Sequence, residues 1–66
     1  MNATQQIREA LKSIMLEGEA NACRIEKVFG YWQYTRFGST ATRLEENLAD
    51  SLAAIKEIRE SFEIAE

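Results

Sequence analysis

The chain of 66 residues contains no histidine, and it has one cysteine, Cys23, and one aspartate, Asp50. Without histidine no side chain has an ordinary pKa near neutral pH, so catalysis would require a buried carboxylate or lysine, and the sequence indicates neither. A lone cysteine forms no internal disulfide, and a zinc site of the Cys/His type has no histidine ligands. We therefore predict a non-enzymatic protein with no cofactor and no metal.

Glycine is also scarce, and Gly18, Gly30 and Gly38 match neither the dinucleotide-binding nor the P-loop spacing. No apolar run approaches the roughly 18 residues of a membrane span, and the N-terminus lacks the pattern of a signal peptide. One free thiol is typical of a reducing compartment. The sequence thus predicts a cytoplasmic protein that makes no contact with membranes.

The shortness of the chain limits its core. A domain of this size buries only about 60% of the surface that its unfolded chain exposes. Small folds commonly add disulfides, a metal or a second subunit, and the first two are not indicated here. We expect a single domain over residues 1–66 that depends on close helix packing or on oligomerisation.

A first helix is predicted over residues 3–17. Asn2 and Gln5 have the spacing of a variant capping box, in which each side chain bonds to the other residue's backbone N–H. Ile7, Leu11 and Ile14 then recur at helical spacing, and Gly18 is a typical stop.

The next segment, residues 22–37, has two interpretations. Five of the six aromatic residues lie between Val28 and Gly38. As a helix, the segment would place Ala22, Ile25 and Trp32 on one face. As a hairpin, it would turn at Gly30, and its second arm has the aromatic residues that suit strands, although Phe-Gly lacks the Asn or Asp of a tight turn. We favour the hairpin, which gives an α+β fold of helix, β-hairpin and long helix; an all-α three-helix fold or helical hairpin is the alternative.

The final helix is predicted over residues 41–64, with Thr42 and Glu45 as its capping box. Apolar residues recur in steps of three and four, as in a coiled-coil seam interrupted by Ser51. Such a helix would be roughly 36 Å long, against a diameter of roughly 28 Å for a compact chain of this size. We therefore predict a homodimer, whose self-association residues are Leu48, Leu52, Ile55, Ile58 and Phe62.

The aromatic segment is also the candidate binding site. Trp, Tyr and Arg are the residue types that dominate interface hot spots. Residues 22–43 carry a net charge of +3, whereas residues 44–66 carry −5. We expect Phe29, Trp32 and Phe37 to lie in the core for packing alone. The predicted partner-binding residues are Tyr31, Trp32, Tyr34, Arg36 and Phe37.

The function that these features favour is protein binding. We predict a small accessory factor of the phage or plasmid type that modulates or inhibits a larger host protein by occupying a site on it. The alternative is binding of single-stranded nucleic acid by the aromatics and Arg24, Lys27, Arg36 and Arg43. The net charge of −3 counts against that alternative.

A helix, a hairpin and a longer helix in about 65 residues resemble the layout of the small phage head-tail joining proteins of the protein W family. The resemblance implies a structural or assembly adaptor as a further alternative. The acidic segment from Glu57 to Glu66 departs from the basic C-terminal tail of that family. A shared order of helices and strands does not by itself establish a shared function.

Overall fold

The chain folds into two helices, a three-stranded antiparallel sheet and a C-terminal helix, so the predicted α+β class is confirmed. The computed structural model describes the backbone of residues 1–64 and the side chains of residues 1–62. Residues 65 and 66, the end of the predicted domain, lie outside this range. The elements are α1 (Ala3–Leu11), α2 (Glu17–Ala22), β1 (Arg24–Val28), β2 (Tyr31–Thr35), β3 (Thr42–Arg43) and α3 (Leu48–Ile64).

Helix α1 begins at the predicted capping box. The Gln5 N–H donates to Asn2 Oδ1 at 2.9 Å, and the Asn2 N–H donates to Gln5 Oε1 at 3.4 Å. The helix ends at Leu11, so the prediction of one helix over 3–17 is wrong past that residue. The Ser13 hydroxyl donates to the Ala10 carbonyl at 2.6 Å, the local bonding by which serine competes with helix continuation. A turn then leads into the short α2.

Strands β1 and β2 form the predicted hairpin, with Arg24 opposite Thr35 and Val28 opposite Tyr31. The two residues that connect them, Phe29 and Gly30, have φ of 51° and 83°. Positive φ at both positions is the pattern of a type I′ turn, which matches the twist of a hairpin. Phe29 therefore takes the left-handed conformation that asparagine usually supplies.

The long helix starts later than predicted, because Thr42 and Arg43 pair with Tyr34 and Gln33 as β3. Asn47 caps α3 instead of Thr42 and Glu45, accepting a hydrogen bond from the Asp50 N–H at 2.8 Å. The prediction of a helix over 41–64 is therefore wrong at its start. With 17 residues, α3 is about 26 Å long, shorter than the 35 Å longest dimension of the molecule. The length of the observed helix therefore gives no support to the predicted homodimer.

The core lies between α1, α3 and the inner face of the sheet. Helix α1 packs against both α3 and β1. No helix among the described residues combines the length and apolarity needed to cross a bilayer. The buried apolar residues are Ile7, Leu11, Ala20, Cys23, Ile25, Tyr34, Leu44 and Ile55.

Candidate protein-binding site

The hairpin separates the five residues predicted to bind a partner. Successive side chains of a strand point to opposite faces, so Tyr31 lies on the outer face, while Trp32 and Tyr34 lie on the inner face. Tyr34 is only 6% exposed and belongs to the core. Arg36 and Phe37 follow the end of β2 and are exposed. Tyr34 therefore has no surface with which to contact a partner in this structure.

Two of the aromatic rings near the hairpin turn are covered by cations. The Arg43 guanidinium lies 4.7 Å from the centre of the Tyr31 ring on the outer face. The Lys27 ammonium lies 5.7 Å from the Trp32 ring, directly across the strand pair. Both distances are within the range of cation–π attraction. Tyr31 and Trp32 are both half-buried, and Trp32 also packs against the core.

The other end of the hairpin forms a cleft against α2. Its volume is about 580 Å³, and we call it the Phe37 cleft. Phe37 is 96% exposed, so its ring borders the cleft without being packed into the core. The expectation that Phe37 is a core residue is therefore wrong. The lining residues are Gly18, Glu19, Ala22, Arg36, Phe37 and Ser39.

A tight turn holds the backbone that carries Phe37. The Ser39 N–H donates to the Arg36 carbonyl at 2.9 Å, and Gly38 has a φ of 76°. A positive φ at the third residue is what a type II turn requires, and glycine adopts it without a steric penalty. The Phe37 side chain is therefore presented to solvent from a fixed backbone.

The charges in the cleft are paired. Arg36 Nη2 donates to Glu19 Oε2, which joins β2 to α2. This hydrogen bond and the negative charge of Glu19 raise the pKa of Arg36 above its ordinary value. The wall of the cleft thus combines a neutral ion pair with the small residues Gly18 and Ala22.

Arg8 fixes the position of α2 in this arrangement. Its Nη1 donates to the carbonyls of Ala20, Asn21 and Cys23 at 3.2, 2.7 and 3.2 Å. These carbonyls lie at the C-terminal end of α2, where helix carbonyls lack intrahelical partners and a positive charge is favourable. Helix α1 therefore holds α2, one wall of the cleft, in place through Arg8.

Neither the α2 half of the cleft nor the exposure of Phe29 could be predicted from the sequence. Six residues of α2 are too few to show helical periodicity, so the sequence indicates Gly18 only as a helix stop. Phe29 is 94% exposed at the hairpin turn, and the expectation that it lies in the core is wrong. The sequence signal for the exposure of Phe29 is the poor match of Phe-Gly to a tight turn, where Asn or Asp is usual.

The residues predicted for self-association differ in how deeply they are buried. Ile55 is 1% exposed and lies in the core, and Leu48 and Leu52 pack against it. Ile58 is half-buried, and Phe62 is 61% exposed. Of these five residues, only Phe62 is exposed, and self-association through α3 stays a prediction.

The remaining candidate chemistry is sparse in residues 1–64. The Cys23 thiol is buried, and this burial raises its pKa even though Arg36 and Arg8 act in the opposite direction. Its Sγ lies 3.7 Å from Met15 Sδ. Within the described part of the chain, no three potential metal-ligating side chains come together.

Comparison with known proteins adds no functional evidence. No protein-family model, no curated protein and no solved structure matches this chain. The resemblance in layout to the phage joining proteins therefore rests on the order of elements alone.

Proposed function

We propose that the chain is a non-enzymatic protein-binding module and that the Phe37 cleft is its binding site. The observation that carries this proposal is the 96% exposure of Phe37 at the border of a cleft of about 580 Å³. Burying a phenylalanine side chain contributes roughly 1.5–3 kcal/mol of stabilisation, which the isolated chain lacks at Phe37. A complex in which a partner covers Phe37 gains this stabilisation.

The cleft is suited to an apolar side chain from the partner. Gly18 and Ala22 provide a wall without bulk, and Phe37 provides an aromatic face. The Glu19–Arg36 pair provides one acceptor and several donors at the same wall. The turn between Arg36 and Ser39 restricts the Phe37 backbone, which lowers the entropic penalty of association.

The groups around the cleft support a binding role better than catalysis. The Glu19 carboxylate is ion-paired with Arg36, so it is not free to act as a general base. Burial raises the pKa of the Cys23 thiol, which works against formation of the nucleophilic thiolate. The module would modulate or inhibit a larger protein by occupying a site on it, as predicted for an accessory factor of the phage or plasmid type.

Single-stranded nucleic acid is the second candidate ligand, favoured by Tyr31 and Arg43 on the outer face of the sheet. Two observations weigh against it. The Arg43 guanidinium already stacks on the Tyr31 ring. Glu45, which follows β3 closely, lines an acidic cleft of about 270 Å³ with Asp50 and Glu57. A phosphate backbone would be repelled there.

Affinity capture from a nuclease-treated bacterial lysate tests the proposal. Wild type is compared with Phe37→Ser and with the matched control Phe62→Ser, which removes an exposed phenylalanine from α3. Circular dichroism establishes that each variant is folded. We expect a protein that wild type and Phe62→Ser retain and Phe37→Ser loses.

Two results would contradict this proposal. Loss of the protein from Phe62→Ser with retention by Phe37→Ser would move the binding site to α3. Disappearance of captured protein on nuclease treatment, together with its loss in Arg43→Gln, would favour nucleic acid on the outer face of the sheet.

A further inference from the structure

Strand β1 forms a free edge of the sheet. The strand order is β1-β2-β3, so β1 pairs with β2 alone. The strand has five residues, whereas β3 at the opposite edge has only two. An edge strand presents backbone N–H and C=O groups with which another extended chain can form hydrogen bonds. The register of the hairpin shows which groups of β1 these are.

The backbone of Lys27 faces away from β2. Lys27 lies directly opposite Trp32. The Trp32 N–H donates to the Glu45 carbonyl at 2.9 Å, and the Trp32 C=O accepts from the Leu44 N–H at 2.7 Å, so both groups are used on the β3 side. Directly opposite residues of an antiparallel ladder exchange both hydrogen bonds or neither, and the two kinds alternate. The N–H and C=O groups of Lys27, and those of Ile25 two residues earlier, therefore point to the free edge.

The charged side chains of β1 make their contacts inside the hairpin. Natural sheets often protect an edge strand with lysines or other charged side chains. Here the Lys27 ammonium lies 5.7 Å from the centre of the Trp32 ring, across the strand pair. Arg24 Nε lies 3.8 Å from Glu26 Oε1, two residues along the same strand. Both contacts lie within the hairpin rather than beyond its edge, so the edge stays accessible to an added strand.

Symmetric antiparallel pairing of β1 with a second copy is unfavourable in each register that uses these groups. With Ile25 opposite Lys27 of the second copy, Glu26 lies directly opposite Glu26, and like charges in such pairs are destabilising. With Lys27 opposite Lys27, two ammonium groups meet, and Ile25 lies opposite Phe29, whose φ of 51° is not that of a strand. With Ile25 opposite Ile25, the next bonded pair includes Cys23, whose N–H already donates within the end of α2. A strand of different sequence avoids these conflicts.

We infer that β1 binds an extended segment of another protein, which adds to the sheet as a fourth strand beside Ile25 and Lys27. The segment would supply backbone donors and acceptors to the four outward groups, the binding mode known as β-augmentation. Lys27 is exposed and has no ion pair among the side chains of residues 1–62, so an acidic residue of the segment is complementary to it. This inference goes beyond the proposed function, since it uses the edge of β1 and not the Phe37 cleft.

The probe for this edge is a synthetic heptapeptide with blocked ends, Thr-Val-Glu-Val-Glu-Val-Thr. Its β-branched residues favour the extended conformation, and its glutamates complement Lys27. One control peptide carries N-methyl groups on the three central residues, which removes consecutive N–H donors and so blocks both of its edges. A second control has lysine in place of each glutamate, which keeps the backbone and reverses the charge.

Amide hydrogen exchange, resolved for each residue by NMR, provides the measurement. In free protein the amides of Ile25 and Lys27 should exchange fast, whereas those of Glu26 and Val28, which bond to β2, should exchange slowly. At half occupancy, expected near about 1 mM peptide for weak association, exchange at Ile25 and Lys27 should slow about twofold. The N-methylated peptide should give no protection, and the lysine peptide less than the glutamate peptide.

Two variants of one residue test the backbone contact from the protein side. Lys27→Pro removes an outward N–H, and proline is tolerated in an edge strand at such a position. Lys27→Thr also removes the ammonium group but keeps the N–H. Circular dichroism establishes that both variants are folded. Lys27→Pro should bind the heptapeptide roughly tenfold more weakly than Lys27→Thr, as expected for a lost hydrogen bond.

Four outcomes would overturn the inference. Slow exchange at Ile25 and Lys27 in dilute free protein would show that the edge is covered. An absence of protection by the heptapeptide, or equal protection by its N-methylated form, would remove the backbone contact. Protection that grows with protein concentration alone would assign the edge to a second copy. Phe37→Ser should bind the heptapeptide as wild type does, so failure of the proposed function would leave this result unchanged.

Discussion

The Ser51 hydroxyl, which is fully buried, exchanges two hydrogen bonds with the backbone of Glu45. It accepts from the Glu45 N–H at 3.1 Å and donates to the Glu45 carbonyl at 3.2 Å. The same carbonyl accepts the Trp32 N–H of β2 at 2.9 Å. Ser51 therefore joins α3 to the segment that extends β3, and this explains the one polar residue in the apolar seam.

Replacing Ser51 by alanine should lower the free energy of unfolding by about 1–3 kcal/mol, because the Glu45 backbone loses a buried donor and acceptor. Urea denaturation followed by circular dichroism measures the change. The matched control is Ser61→Ala, an exposed position of the same helix, which should stay within about 0.5 kcal/mol of wild type. Equal effects of the two substitutions would show that the Ser51 bonds contribute nothing specific.

Arg8→Met should also destabilise the fold, by about 1–3 kcal/mol, because three carbonyls at the end of α2 lose a charged donor. Arg24→Met is the control, since the Arg24 side chain is 73% exposed and its contact with Glu26 is long, at 3.8 Å. The midpoints of urea denaturation should fall for Arg8→Met and hardly move for Arg24→Met. A similar fall in both would contradict the role assigned to Arg8.

Phe29→Asn should raise the free energy of unfolding by roughly 1 kcal/mol, since asparagine tolerates the left-handed conformation that the turn imposes. Thermal and urea unfolding of dilute protein measure this gain without interference from association. Phe37→Asn is the control, because Phe37 is equally exposed but has no positive φ. If Phe29→Asn were destabilising, Phe29 would have a structural role that its exposure does not reveal.

Burial of Cys23 predicts a loss of stability at alkaline pH. The folded state raises the pKa of this thiol, so its stabilising contribution is complete below the unfolded value of about 8.5 and falls as pH rises toward the folded value. The urea midpoint of wild type should therefore decrease more steeply between pH 8 and pH 10 than that of Cys23→Ala. Parallel decreases in both proteins would exclude the thiol as the cause.

The hairpin could be predicted because the β propensity of β2 and the glycine at its turn both favour a hairpin over a helix. The helix boundaries were harder, because they depend on contacts that are distant in sequence. Thr42 and Arg43 resemble a helix start until β2 is present to pair with them, and Asn47 then becomes the first available cap. The end of α1 is different, because the bond found there, from the Ser13 hydroxyl to the Ala10 carbonyl, is local.

The binding site could be predicted only in part for the same reason. Composition indicated the aromatic residues of β2 together with Arg36 and Phe37 after it, but the alternation of the strand assigns Tyr34 to the core. Arg36 and Phe37 lie in the cleft because α2 packs beside the end of β2, and the position of α2 depends on Arg8. Sequence periodicity contains no signal for such an arrangement in a six-residue helix.

Site-specific photocrosslinking tests the binding role of the Phe37 cleft most directly. A benzophenone amino acid replaces Phe37 in one sample and Phe62 in the control, and both are irradiated in nuclease-treated lysate. We expect a discrete adduct with a foreign protein from position 37 and none from position 62, with the crosslinked peptide identified by mass spectrometry. Absence of an adduct at position 37, or the same adduct from position 62 alone, would contradict the assignment of this cleft as the protein-binding site.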